Sequence, residues 1–200
     1  LTTLLGLSQL AKSAIKDPMS LDLFQKVRET TLSLDRMLAK LQHISAVEHH
    51  SDIGEVEVRQ LIETCLRTLY ARIDEKKVTV ELDIQCATVI SNEFLLGVAL
   101  FNLIENAIDF SSPADAYVKV TSQEVDNEVS IGVEDNGHGI RPELVDRIFE
   151  MYYRASDYSR GNGLGLYVTR RAVEKLNGRI VVSTQLGKGS LFQVLIPVQP

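Results

Sequence analysis

The chain has 200 residues, 44% of them hydrophobic, enough to bury a real core as one compact domain plus a smaller element. Against 27 Asp and Glu stand 21 Lys and Arg, a net charge of -6, so no overall field draws in nucleic acid or an anionic membrane surface. Cys65 and Cys86 are too few and too far apart for a disulfide framework or a metal site, and they fit the reduced thiols of a cytoplasmic protein.

From Leu1 to Glu48 the pattern is helical. Leu1, Leu4, Leu5, Ala11 and Ile15 recur at i, i+3 and i+4 spacing until Asp17-Pro18 breaks the run. A second helix follows, with Phe24, Val27, Leu34, Leu38 and Leu41 on a near-heptad seam that Met37 and Ile44 widen beyond what one partner helix covers. Residues 1–48 are therefore expected to form an antiparallel helical hairpin that dimerises into a four-helix bundle, the alternative being that the stripes pack on the rest of the same chain. The polar segment 49–54, which ends in Gly54, reads as a linker, and residues 55–200 as a second domain. His43, His49 and His50 lack an acidic or thiol partner at ligand spacing and fit a solvated helix end better than a metal site.

Beyond the linker the expected elements are a short strand at 55–58, a helix at 59–74, a strand at 78–84 and strand-like residues at 88–90. A helix at 92–110 follows, with Phe94, Val98, Phe101, Ile104 and Ile108 directed mainly to the core. The apolar run at its start, Phe94 to Ile104, is interrupted by Asn102 and falls short of the roughly 20 residues of a membrane helix. Strands at 117–123 and 128–134, an irregular stretch, a helix at 164–176 and a hairpin of 179–184 with 191–196 complete an α+β sandwich, with helices on one face of a mixed sheet. The chain opens on Leu1 with neither an initiator Met nor a helix cap, and it is read as a fragment of something longer.

The chemistry concentrates in the second domain. Asn102 and Asn106 stand four apart and share one helix face, where amide oxygens suit Mg²⁺ or, equally, a buried hydrogen-bonded pair. DNGHGI, Asp135 to Ile140, follows the alternating run Val129, Ile131, Val133 and so sits at a strand end. There Asp135 can accept a hydrogen bond from an exocyclic amine, while Gly137 and Gly139 let the backbone lie against a flat ring. GNGLGL, Gly161 to Leu166, opens a helix whose free N–H groups and positive dipole end can receive phosphate. Neither the Rossmann fingerprint nor a P-loop is present, and GKGSLF, Gly187 to Phe192, reads equally well as a hairpin connection.

NLIENA (Asn102 to Ala107), DNGHGI, RIFEMYYR (Arg147 to Arg154), GNGLGL and GKGSLF, in this order and spacing, closely resemble the ATP-binding domain of sensor histidine kinases, the kinases of two-component systems. The N-terminal hairpin is similar to the family's dimerisation and phosphotransfer element, with LTTLLG like the stretch just after the phosphoacceptor motif. The resemblance implies the GHKL-type fold, ATP and Mg²⁺ as cofactors, a homodimer, and a response-regulator receiver domain as partner. It places Asn106 on Mg²⁺ and Asn102 along the triphosphate. Asp135 would read the adenine amine, with Gly137, Gly139 and Ile140 shaping its pocket. Gly161, Gly163, Leu164, Gly165 and Leu166 would border the phosphates, and Phe149, Tyr153 and Arg154 would begin a lid running to about Arg160.

Three departures qualify that picture. The phosphoacceptor histidine and its acidic neighbour are expected upstream of Leu1, so no residue of this chain is assigned as catalytic. Asp109 stands where the family usually has Lys or Arg, and a carboxylate near a triphosphate would cost about 1 kcal/mol or more. Met151 replaces a usual Pro and Tyr152 a usual Phe, and His138 occupies a variable position of its motif. Two other readings remain open. One is an ATP-driven conformational clamp like gyrase, the mismatch-repair ATPases or Hsp90, which usually carry a glutamate where Asn102 stands; the other is a nucleotide-independent docking module for a receiver domain. The fragment itself is expected in the cytoplasm without direct membrane contact, whether or not its parent is anchored.

Overall fold

The computed structural model describes residues 6, 17–46, 53–154 and 163–198. They fall into two compact units that divide between Ala46 and Val47. The first unit holds helix α1 (Pro18–Ala46). Asp17 and Pro18 begin this helix: Asp17 Oδ2 accepts from the backbone N–H of Ser20 at 2.8 Å and from its hydroxyl at 2.6 Å, and Pro18 occupies the first helical turn, where its missing N–H costs nothing. Those two hydrogen bonds hold the Asp17 carboxyl below its ordinary value. Met19, Leu23, Val27 and Leu38 are exposed along α1, the first two at 84% and 62%. The expected first helix of the hairpin lies outside the described residues apart from Gly6, and so do the side chains of Met37, Leu41 and Ile44.

The second unit begins earlier than expected. Strand β1 (Ile53–Glu57) takes in two residues assigned to the linker at 49–54, and Gly54 pairs with Ser91 of β3 (Thr88–Asn92) instead of breaking the chain. β1 and β3 form an antiparallel sheet of their own, separate from a five-stranded sheet of β2 (Thr79–Ile84), β4 (Tyr117–Val125), β5 (Glu128–Asp135), β7 (Gly189–Pro197) and β6 (Arg179–Gln185), in the order β2-β4-β5-β7-β6. β2 and β4 run parallel and the other neighbours antiparallel, so this sheet is mixed. Alternation along β4 buries Val118, Val120 and Ser122 on the face that meets the helices, as period two requires.

That face is covered by α2 (Val58–Lys76), α3 (Glu93–Phe110) and α4 (Gly165–Lys175), with α3 between the other two. A helix with neighbours on both sides and a sheet beneath must be apolar nearly all round. In α3 Leu95, Leu96, Val98, Ala99, Leu100, Leu103, Ile104, Ala107 and Ile108 are all buried. Phe94, expected in the core, is instead 37% exposed, while its neighbours Leu95 and Leu96 in the same first turn are buried. Asn92 caps the helix by accepting the Leu95 N–H at 2.9 Å.

The C-terminal end of α3 is fastened to α2 by charge. Lys76 Nζ donates to the Ile108 carbonyl at 3.0 Å, the Asp109 carbonyl at 2.7 Å and the Asp109 carboxylate at 3.1 Å. Two donors of one ammonium thus meet carbonyls that the helix end leaves without internal partners, and the third meets a carboxylate. Arg72 completes the contact with Glu105 and Asp109, each at 3.0 Å. Asp109→Lys, the residue type usual at this position in the resembled family, would set a third cation beside Arg72 and Lys76. Denaturant unfolding should show the variant about 1–2 kcal/mol less stable than the parent; equal stability would mean that the cluster contributes nothing.

Candidate functional site

The two ends of the site hang on α3, about 12 Å apart along its axis at the rise of a regular helix. At the C-terminal end, β5 delivers Asp135 between Val118 of β4 and Ser190 of β7. Asp135 is 7% exposed, and its Oδ1 accepts the Gly137 N–H at 2.8 Å. Burial pushes the carboxyl up to about 6, against the opposing pull of the Gly137 N–H, His138 and the Ser190 N–H, with Glu134 adding to the rise. A carboxylate kept this dry is poised to gain from a donor that enters beside it.

The glycines of DNGHGI are required by the protein's own packing. A Cβ on Gly137 would overlap the carbonyl oxygen of Phe110, the last residue of α3, and one on Gly139 would overlap the Gln185 carbonyl at the end of β6. Gly139 also has φ +67, in the left-handed region. The space that the sequence reading gave to a flat ring is, on the Cβ side of both residues, filled by backbone. His138 is exposed and stands edge-on to Phe110 with ring centroids 5.3 Å apart, while its carbonyl accepts the Gly187 N–H at 2.8 Å. Ile140 is half-buried.

Asn136, unremarked in the sequence, fastens the other side of the loop. Its Oδ1 accepts from the backbone N–H of Ser112 at 3.2 Å and of Tyr117 at 3.1 Å, and its Nδ2 donates to the Asp115 carbonyl at 2.8 Å. Asn directly after a strand is a signal for such side-chain-to-backbone bonding, though its partners some 20 residues away cannot be read from spacing. Beyond Asn136 lies an open cavity of about 390 Å³ that includes Lys76, Lys77, Asp115 and Tyr117 in its lining. Lys76 is already committed to the end of α3 and Lys77 pairs with Asp74, so the cavity offers an anion little.

At the other end, Asn102 is 1% exposed and donates from Nδ2 to the Gly165 carbonyl at 3.3 Å, which Thr169 also approaches with its hydroxyl at 2.9 Å. The Oδ1 of Asn102 is buried without a partner among the described residues. Asn106, one turn on, is half-buried and makes no side-chain hydrogen bond among the described residues. Helix α4 starts at Gly165 with no side-chain cap, leaving its first N–H groups available, and nothing lies within 4 Å of where a Cβ on Gly165 would stand. Leu164 is buried, Leu166 half-buried, and Gly163 at φ +71 accepts the Tyr152 N–H at 3.0 Å. An orphaned buried amide oxygen, an uncapped helix start and a dry carboxylate together fit a nucleotide with its cation.

Beside the start of α4 runs the segment expected to begin a lid, with the Tyr152 N–H on the Gly163 carbonyl. Phe149, half-buried in the 3₁₀ turn Arg147–Phe149, has the Arg170 guanidinium 5.8 Å from its ring centre, and Arg147 stacks 4.5 Å over half-buried Tyr153. Met151 and Tyr152 are exposed, Tyr152 at φ +64, and so is Arg154. Gly161 and the remainder of the lid lie outside the described residues. Asp109 does not face the helix start of α4 as an unpaired charge: Arg72 and Lys76 neutralise it on the α2 side. The expected electrostatic penalty on a triphosphate therefore loses its basis.

Residues 91–200, more than half of the chain, match the model of the histidine kinase-, DNA gyrase B-, and HSP90-like ATPase family. The chain belongs to that family. It is 28% identical over 203 residues to the heme sensor protein HssS of Staphylococcus saprophyticus, covering all of this chain and 44% of that protein. Among solved structures it is similar to full-length ShkA in complex with AMPPNP, at TM-score 0.73 and 24% identity over 97% of this chain and 42% of that one. It is also similar to the histidine kinase ThkA in complex with the response regulator protein TrrA, at TM-score 0.72 and 20% identity over all of this chain and 57% of that one. The chain thus spans less than half the length of HssS, and its second unit is an ATP-binding domain of the sensor histidine kinase kind. No helix among the described residues is long and apolar enough to cross a membrane.

In this ATPase domain the glycines separate into two kinds. Gly137→Ala should lower stability by about 1–3 kcal/mol, since a backbone carbonyl must move to make room, whereas Gly165→Ala, with open space at its Cβ, should fold as well as the parent. Thermal unfolding followed by circular dichroism distinguishes them; equal melting temperatures for both variants would contradict the close approach of Gly137 to α3.

Proposed function

We propose that this chain is the core of a sensor histidine kinase, binding ATP with Mg²⁺ across α3 and directing its γ-phosphoryl group to a histidine and from there to a response-regulator aspartate. The observation that carries the reading is Asp135, a residue at a strand end that is only 7% exposed, whose Oδ1 accepts the Gly137 N–H at 2.8 Å and whose pKa burial raises to about 6. Adenine would donate its exocyclic amine to Asp135, above the backbone of Gly137 and Gly139 and beside Ile140. The phosphates would lie at the start of α4 along Gly161, Gly163, Leu164, Gly165 and Leu166, with Asn102 alongside. Asn106 would supply an amide oxygen to Mg²⁺, and Phe149, Tyr153 and Arg154 would begin the cover that excludes water. Mg²⁺, when bound with the nucleotide, neutralises charge on the phosphoryl oxygens. The chain's own share is positioning and preorganised dipoles, which account for most of phosphoryl-transfer catalysis.

The amide at position 102 disfavours the clamp reading, whose relatives use a carboxylate there as base. The docking-module reading is separated by titration: it holds only if ATP fails to bind. A homodimer, a receiver-domain partner and a cytoplasmic place for this core belong to the same proposal. The exposed row Met19, Leu23, Val27 and Leu38 on α1 supports the dimer. Leu38→Glu should then shift the chain toward monomer in analytical ultracentrifugation, and a parent that is monomeric at high concentration would refute the bundle.

The Asp135 contact has a definite sign with pH. Its folded-state value lies above the ordinary carboxylate value of 3.8, so the apo protein loses stability as pH rises through about 6 and the buried group ionises. The amine favours the ionised form, so ATP affinity should be constant above pH about 6 and fall below it. Asp135→Asn should flatten that profile and weaken binding by roughly one to two orders of magnitude, corresponding to about 1.5–3 kcal/mol for a charge-assisted hydrogen bond. Calorimetric titration across pH 5–8 checks both; an unchanged profile in the variant would remove Asp135 from the site.

A further inference from the structure

Strand β6 contributes one side chain whose hydrogen bonds converge on the loop that carries Asp135. Thr184 is half-buried, and its Oγ1 accepts the Ile140 N–H at 2.9 Å. The same oxygen lies 3.0 Å from the Gly189 carbonyl and 3.0 Å from the Ser190 hydroxyl. A hydroxyl has one proton and two lone pairs. With that proton on the Gly189 carbonyl, both lone pairs are used by the Ile140 N–H and the Ser190 O–H, and every hydrogen-bonding site of Thr184 is filled. The partners are the two walls around Asp135. Ile140 closes the DNGHGI loop, and Ser190 sits opposite Asp135 in the sheet, with its N–H directed at the carboxylate.

Gly189 shows how tight this junction is. Its φ is +113, and a Cβ there would overlap the Asp135 carbonyl oxygen, so the β6–β7 turn lies directly against the backbone of the adenine-reading residue. The Gly187 N–H bonds the His138 carbonyl at 2.8 Å and gives a second grip from the same turn. Thr184 pairs with Ser190 of β7, and Ser190 in turn pairs with Asp135 of β5, so Thr184 stands one strand beyond the residue next to the carboxylate. Its hydroxyl therefore acts on Asp135 through Ile140 and Ser190.

We infer that Thr184 is a positioning residue for the adenine end of the site, its hydroxyl fixing Ile140 and the Gly189-Ser190 segment around Asp135. The inference rests on the ATP-binding reading above and adds to it a residue outside its motifs. Valine at 184 keeps the shape but leaves the Ile140 N–H and Gly189 carbonyl without their partner and releases the Ser190 hydroxyl to rotate. Such a loss should be felt by the base and not by the phosphates, which lie at the other end of α3.

Calorimetric titration of the whole chain with three probes, MgATP, adenosine and magnesium tripolyphosphate, tests this. Thr184→Val, which removes all three hydrogen bonds of the hydroxyl, should weaken ATP and adenosine alike by about five- to tenfold, the effect expected if the equivalent of one of them reaches the base, and leave tripolyphosphate unchanged, while Thr184→Ser restores parental affinity. Because valine could unfold the hairpin, Thr184→Cys, close in size with only a weak donor, serves as the second variant and should fall between Ser and Val. Equal affinity for ATP in the parent and in a folded Val or Cys variant would overturn the inference, and so would an equal loss of tripolyphosphate binding, which marks general destabilisation. A parent chain that binds tripolyphosphate but not ATP or adenosine would overturn the adenine assignment itself, a result distinct from failure of the Thr184 variants alone.

Discussion

The carbonyl oxygen of Phe110 occupies the place where a side chain on Gly137 would begin. That close approach joins the last residue of the most buried helix to the loop that presents Asp135, and the rest of the site takes its coordinates from it. If α3 shifted by an ångström along its axis, the loop would either collide with it or lose its support. Lys76 and Arg72 fasten this same end from the α2 side, so the position of Phe110 is fixed from behind as well as in front. From there α3 carries the frame back to Asn102, whose amide holds the first turn of α4 through the Gly165 carbonyl. One rigid helix thereby sets the distance between a group suited to a base and a helix start suited to phosphate.

The polar groups left unmatched lie where a ligand would complete them. Protein interiors rarely bury an amide oxygen without a partner, yet Asn102 Oδ1 is such an atom beside an uncapped helix start. At the other end burial raises the Asp135 carboxyl to about 6, whereas a solvated aspartate stays near 3.8. Both features cost stability in the empty protein. On the proposed reading, both costs would fall if a donor met Asp135 and a cation with its phosphates met the amide face, which would tie the cost of the apo fold to binding.

Much of this was legible in the sequence where the signal is local. Period two gave β4 and β5, the four-residue spacing placed Asn102 and Asn106 on one face, and the apolar run marked α3 as a core helix. Long-range pairings were not legible. Nothing in the neighbourhood of Asp109 announces that Arg72 and Lys76, more than 30 residues earlier, will neutralise it, and so a stabilising cluster read as an electrostatic fault. The glycines of DNGHGI were rightly seen as sites of close approach, but the approaching groups are Phe110 and Gln185, which only the fold brings there. Asn136 shows the same limit: its type advertises backbone bonding, its partners do not. The boundary at 49–54 slipped because Gly54 reads as a breaker locally, whereas pairing with Ser91 draws it into a strand.

The central claim is that one ligand engages both ends of α3 at once. It is tested most directly by following amide and side-chain resonances of the isotopically labelled chain during titration with a non-hydrolysable ATP analogue and Mg²⁺. The account predicts that the Gly137 and Ser190 amides, the Asp135 carboxyl and the Asn102 and Asn106 side-chain amides shift together along one saturation curve. Shifts confined to Lys77, Asp115 and Tyr117 around the cavity beyond Asn136, with Asp135 and Asn102 unmoved, would contradict it.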